Sequence, residues 1–299
     1  DGFSLSLDDD GDLWCYGDIV PTFREYGSKS ETARVKFFSK IQDVASGNKF
    51  FAFVDEEEQV WMHGKWLGCD LIGSRERLFA ISGLFDIQKV FCGPNSVYCI
   101  SLDNRVYSFG RNESGCLGVG KDTLNIDHPM RIQSLFNITE VAAGIGHALF
   151  LVFEGNVYTC GKNTNGERGL SSFQSDNIPR IHPTLKNIVK ISCGDEHSIV
   201  MDNKDHVYSF GRNDNGRLAL GHTSFVNEPK LIPLSETISF TFAEARGQYS
   251  LFLDSEGNLF MAHAIVLPNG SISGNINPRN ITTNVLSVAC GLNQIVYRT

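Results

Sequence analysis

The chain has 299 residues, 41% of them hydrophobic, with 29 glycines and 21 phenylalanines against 9 prolines. That is enough apolar material for a sizeable core, and a chain rich in glycine and aromatics but poor in proline suits many short strands joined by tight turns. The net charge of -8 excludes nucleic-acid binding through the whole surface, because phosphate binding needs a positive field.

Taken in chain order, the first residues, DGFSLSLDDDGDLWCYG, read as a strand, an acidic hairpin turn and a strand closing at Gly17. They enter mid-pattern, so the sequence is expected to be a piece of a longer protein. A fuller copy begins at Gly47, with Gly64 seventeen residues later. The same interval separates Gly93 from Gly110, Gly144 from Gly161 and Gly194 from Gly211. A weaker copy starts at Arg246, where His263 replaces the second glycine, and Gly291 opens a last, short one. In each copy a strand runs into the first glycine, and a short loop and an apolar strand follow. A polar hairpin turn then leads to a strand carrying an aliphatic-aromatic pair, such as Val106-Tyr107, Val157-Tyr158 or Val207-Tyr208. A glycine-rich turn (GRNESG, GKNTNG, GRNDNG) leads to a fourth strand.

A four-stranded sheet cannot bury both of its faces alone, whereas sheets repeated around an axis can. The expected fold is therefore all-β, a single β-propeller over residues 1–299 with four-stranded antiparallel blades. Six periods are visible and a seventh begins. The two ends, LNQIVYRT and DGFSLSLD, occupy the same repeat position, which favours seven blades with one incomplete.

The copy from Gly194 to Gly221 carries G-x-x-H-[SA]-hydrophobic, then V-Y-[ST]-hydrophobic-G-[RK]-N-x-x-G-x-L-x-x-G, and Gly93–Gly120 follows it most closely, with Ser96 in place of the histidine. This pattern resembles the regulator of chromosome condensation repeat. The resemblance implies a seven-bladed propeller. It also implies one of two kinds of work: guanine-nucleotide exchange on a small GTPase such as Ran, or service as an interaction module inside a larger signalling or trafficking protein.

Alternate turns of a meander lie on opposite faces. The loop after the first glycine and the turn after the second share one face, here the loop face. It carries Asn48, Lys49, Asn95, Asp195, Glu196, Arg212 and Arg246 as candidate partner-facing residues. In the exchange factors of the resembled family, acids and a histidine directly after the first glycine face the GTPase. Gly194-Asp195-Glu196-His197 matches that pattern, which makes Asp195 and Glu196 the candidates for displacing nucleotide contacts without covalent chemistry. Pro94-Asn95, Ile145-Gly146 and Gly247-Gln248 at the equivalent positions depart from it.

The hairpin face is acidic. Asp8, Asp9, Asp10, Glu56, Glu57 and Glu58 crowd its turns, opposed by Arg105 and Lys204. It is a candidate surface for a basic partner such as a histone tail, and it would repel DNA.

His147 and His197 fill a slot that holds Phe3, Phe50, Ser96 and Tyr249 in other copies, which marks it as structural rather than metal-binding. The eight cysteines include no C-x-x-C pair, and Cys92, Cys193 and Cys290 share a slot for a small buried residue. The glycine-rich turns do not run from a strand into a helix, so they are not phosphate-binding loops, and no G-x-S-x-G elbow occurs. No catalytic residue, metal or cofactor is expected. No apolar run approaches ~18 residues, so neither a membrane span nor secretion is supported. The expectation is a cytoplasmic protein, with the nucleus as the alternative, whose partner is another protein.

Overall fold

The computed structural model describes residues 3–17, 20–23, 32–64, 75–266, 272–290 and 295–299. Trp66, for instance, and Gly291 lie outside them, as does the side chain of Cys290. The described strands form antiparallel sheets in strict sequence order. In blade 5 the strands are Ile188–Cys193, His197–Asp202, Val207–Gly211 and Val226–Leu231. The same four-stranded order recurs in blade 2 (41–80), blade 3 (87–131), blade 4 (138–181) and blade 6 (240–282). Blade 1 (3–34) has three strands, with a four-residue helix, Val20–Phe23, before the third.

The described residues thus make six blades, not the seven expected. The last copy contributes only Ser287–Cys290 and Ile295–Arg298, which pair with each other as a two-stranded ribbon and not as a further four-stranded blade. The seventh period visible in the sequence is represented among the described residues by this ribbon alone.

Position within the blade explains composition. The second strands are sandwiched between neighbouring blades, so Phe50–Asp55, Ser96–Ser101 and His147–Val152 are buried at every residue and read as nearly continuous apolar runs. The fourth strands are outer edges. Each central one carries a proline (Pro129, Pro179 or Pro229), tolerated because an edge strand can spare a backbone donor. In those blades the pairing of third and fourth strands slips at the glycine of the third strand, between Ser108 and Gly110, Thr159 and Gly161, and Ser209 and Gly211.

The first strands line a central channel. Their pairing with the second strands also shifts, between Ile41 and Asp43, Ile87 and Lys89, Ile138 and Glu140, and Ile188 and Lys190. The residues after the shift alternate acid and base through blades 2 to 5 (Asp43, Lys89, Glu140 and Lys190) and line a cavity of about 630 Å³ in the channel. Asp43 also accepts a hydrogen bond from the Val90 amide at 2.8 Å, tying blade 2 to blade 3.

On the loop face backbone bonds link neighbouring blades. The Asn48 amide donates to the Pro94 carbonyl (2.8 Å), the Ile145 amide to Asp195 (3.0 Å) and the Asp195 amide to Gly247 (2.8 Å). Pro94 has no N–H to continue the series.

Candidate functional site

The glycine-rich turns are organised by their asparagines. In blade 5 the Asn213 Oδ1 accepts the Leu218 amide at 3.0 Å and its Nδ2 donates to the His222 carbonyl at 2.8 Å. Asn163 and Asn112 repeat the arrangement with Arg168 and Leu117. All three are buried, so the Asn of the repeat shapes the turn and leaves the neighbouring side chains to face outward.

The histidine slot is a latch between blades. His147 Nε2 meets Ser198 Oγ of blade 5 at 2.9 Å, and His197 Nε2 meets Ser250 Oγ of blade 6 at 3.0 Å. Each serine hydroxyl donates to a backbone carbonyl, Ser198 to Glu167 at 2.8 Å and Ser250 to Arg217 at 2.6 Å. The serine proton is therefore committed, and histidine must donate from Nε2. A Ser–His pair here is not a nucleophile and its base: both groups are sealed in the interior. This agrees with reading the slot as structural, and the paired serine in the next blade is a signal the sequence carried without its meaning being visible.

On the loop face of blades 4 and 5, Glu196 lies at the centre of an ion network. Lys162 Nζ and Arg212 Nη1 each donate to it at 2.5 Å, and Arg212 also holds Asp214 at 2.6 Å. Burial opposes ionisation of Glu196, but the bonds from Lys162 and Arg212 outweigh it and hold the carboxyl below its usual range. Two predicted residues, Glu196 and Arg212, are thus brought together and spent on each other. Glu196→Gln is expected to lower stability by about 1–2 kcal/mol in urea unfolding at pH 7, since it removes one charge from a partly buried network.

Asp195, one residue earlier, has a different environment. Its carboxylate is half-buried and has no hydrogen-bond or ion-pair partner among the described residues. Burial pushes its pKa up, and the fields of Arg217 and Arg246 only partly offset this. Arg217 is itself buried, and its Nη1 has no hydrogen-bond partner.

Arg246 is not on the loop surface. It lines the channel, and its Nη2 reaches the Ser46 carbonyl at 3.2 Å, linking blade 6 to blade 2. Asn48 and Asn95 are half-buried in loops whose backbones are already paired, Asn48 to Pro94 and Asn95 to Arg111, while Lys49 is exposed.

On the hairpin face the acids divide into two kinds. Asp8 accepts the amides of Asp10 and Asp12 and the indole N–H of Trp14. Asp55 does the same for Glu57, Gln59 and Trp61. These aspartates build the turn and anchor the aromatic of the third strand. Asp9, Asp10, Glu56 and Glu57 stand exposed, and Glu58 is half-buried with a left-handed backbone.

The slot shared by Cys92 and Cys193 is only partly sealed: Cys193 is buried and Cys92 half-buried against the channel, and both are free thiols. Among the described residues no three His, Cys, Asp or Glu side chains converge as a metal site, and no helix is long and apolar enough to cross a membrane.

The repeat model described as "Regulator of chromosome condensation (RCC1) repeat" matches residues 103–151, 154–201 and 204–253, and a second model of that description matches 138–167 and 188–217. The chain is 28% identical over 200 residues to the guanine nucleotide exchange factor SRM1 of Saccharomyces cerevisiae, covering 60% of this chain and 41% of SRM1. It is 26% identical over 164 residues to the serine/threonine-protein kinase Nek9 of Xenopus laevis, covering 49% of this chain and 17% of Nek9. It therefore spans less than half the length of either relative. The fold is similar to that of Prp20p from Saccharomyces cerevisiae, with a TM-score of 0.73 at 22% identity, covering 84% of this chain and 66% of that one. With the paired glycines, the turn asparagines and the blade topology all in place beneath these matches, the chain belongs to the regulator of chromosome condensation repeat family.

Proposed function

We propose that this propeller is a protein-docking module whose working surface is the loop face around Asp195. The observation that carries this reading is the Asp195 carboxylate: half-buried, without a direct partner, beside two arginines and next to a glutamate already neutralised by its own network. Such a group costs stability in the free protein and gains from a donor supplied by a partner. Most of the length of relatives such as Nek9 lies outside the match, which supports a module serving a larger protein.

A photo-crosslinker at exposed Lys49 on the loop face, beside one at Lys204 on the hairpin face, tests the assignment in cell extract. Adducts from position 49 are expected. Adducts from 204 alone would overturn it.

A small GTPase is the partner class favoured by likeness to an exchange factor and to Prp20p, whose structure is described with its binding properties to Gsp1p and histones. Exchange would proceed by displacement of nucleotide contacts. Release of fluorescent nucleotide from a panel of small GTPases is the direct measurement. Acceleration that falls at least ~10-fold in Asp195→Asn, with Tm unchanged or raised because a partly buried charge is removed, is the expected outcome for this reading. A panel with no acceleration removes the GTPase reading and leaves the docking module.

A further inference from the structure

The hairpin face carries an apolar arc that the sequence reading of that face, based on charge, missed. Phe85, Leu102, Phe136 and Phe153 are 76%, 54%, 60% and 82% exposed. All four lie on blades 3 and 4. The Leu102 amide donates to the Asp86 carbonyl at 2.7 Å, and the Phe153 amide to Asn137 at 3.1 Å, so each blade sets one hairpin residue beside one connector residue.

The fold does not require apolar residues there. In the connector, Leu84, Leu135 and Leu185 are buried anchors, and Asp86, Asn137 and Asn187 adopt left-handed backbones with φ of 54°, 56° and 55°. The residue between anchor and turn is thereby turned out to solvent. It is Phe85 in blade 3 and Phe136 in blade 4, but Lys186 in blade 5, where it donates to Asn156 Oδ1 at 2.6 Å. The hairpin position shows the same contrast. Glu56, Asn203 and Ser255 make the same backbone bond in blades 2, 5 and 6, where blades 3 and 4 have Leu102 and Phe153. Polar residues serve both positions elsewhere in this molecule, so the aromatics on adjacent blades are an exposed patch with no role in packing the blades.

Charge selects the occupant. Two cations of these blades are engaged: Arg105 pairs with Asp103 at 2.6 Å, and the Arg131 guanidinium lies 5.8 Å from the centre of the Phe136 ring. Glu57, Asp86 and Glu154 are exposed and have no ion-pair partner among the described residues. We propose that the arc of Phe85, Leu102, Phe136 and Phe153 docks a basic amphipathic helix of a partner protein, its apolar side on the aromatics and its lysines or arginines on the surrounding carboxylates. This does not depend on the loop-face reading, since the two surfaces are on opposite faces.

The probe is an 18-residue helical peptide of leucine and lysine with all leucines on one side, fluorescently labelled and titrated with the propeller in anisotropy. Controls are a scrambled peptide of equal composition and one with glutamate for lysine. The variant Phe85→Ser/Phe136→Ser/Phe153→Asn uses polar residues that other blades carry on this face, so its melting curve should match the parent. Expected are saturable binding of the amphipathic basic peptide alone and a loss of at least ~10-fold in the variant, with no change in Phe173→Ser at a glycine-rich turn of the other face. Equal binding of the scrambled or acidic peptide, or an unchanged affinity in the variant, would overturn the proposal. So would concentration-dependent dimerisation that the variant abolishes, because the arc would then belong to a second copy of this chain.

Discussion

Gly194→Ala is expected to lower the melting temperature by roughly 6–12 °C, whereas the same change at Gly83 lowers it by only a few degrees. A Cβ at Gly194 would overlap the His197 ring and lie 2.9 Å from the Gly247 carbonyl of the next blade. Neither neighbour can retreat. The ring is buried and fixed by Ser250, and Gly247 is held by the Asp195 amide. Overpacking of this kind costs about 3 kcal/mol, and each kcal/mol corresponds to about 2–4 °C in a protein of this size. At Gly83 an added Cβ meets nothing within 4 Å, and only the positive φ of 83° opposes it, at about 1 kcal/mol. Thermal unfolding followed by circular dichroism separates the two. Equal shifts would mean that backbone conformation, not the closeness of adjacent blades, accounts for the first glycine of the repeat.

The propeller is also expected to lose stability between pH 6.5 and 5. Burial, reinforced by the Lys162 charge, depresses His147 to about 3, and burial with the Arg217 charge holds His197 well below its usual 6.5. The geometry gives the reason: Nε2 already donates to serine, and Nδ1 is buried without a partner, so a second proton would place an unpaired donor and a charge in the interior. The unfolded chain takes up these protons near pH 6.5 and the folded chain does not. The stability contributed by each neutral histidine is complete above pH 6.5 and falls by up to about 1.4 kcal/mol per pH unit below it. Urea midpoints measured from pH 7.5 to 5 should decline accordingly. The double variant His147→Phe/His197→Phe, which uses the residue blade 2 carries as Phe50, should be less stable at pH 7.5 and show a shallower decline. A wild-type midpoint that stays constant across this range would contradict the neutral buried state.

Why Glu196 and Asp195 differ shows how closely function here depends on neighbours. Both are acids following the same glycine, and from sequence they were equivalent candidates. Glu196 turns toward Lys162 of blade 4 and Arg212 of its own blade and is consumed, while Asp195 is left with no direct partner and only the fields of Arg217 and Arg246. The residue that separates their fates, Lys162, is 34 positions away from Glu196 in the chain.

Local rules legible in the chain account for the paired glycines, the Asp-initiated hairpins, the asparagine turns, the buried histidine slot and, through their repetition, a propeller. The motifs follow from backbone conformation within one repeat, and the propeller follows because a sheet can cover both its faces only against further copies of itself. The tertiary structure decided everything that depends on an adjacent or opposite blade. Among the described residues it makes six blades and leaves the last copy as a two-stranded ribbon. It moved Arg246 from the loop surface into the channel, where it reaches a carbonyl 200 residues away. It paired each latch histidine with a serine one blade on, and it left Phe85 and Phe153 in solvent although each reads as an ordinary member of an apolar run. A residue's type is fixed by its sequence position. What that residue touches is fixed by the neighbouring blade, about fifty residues along the chain, and only closure of the ring brings the two together.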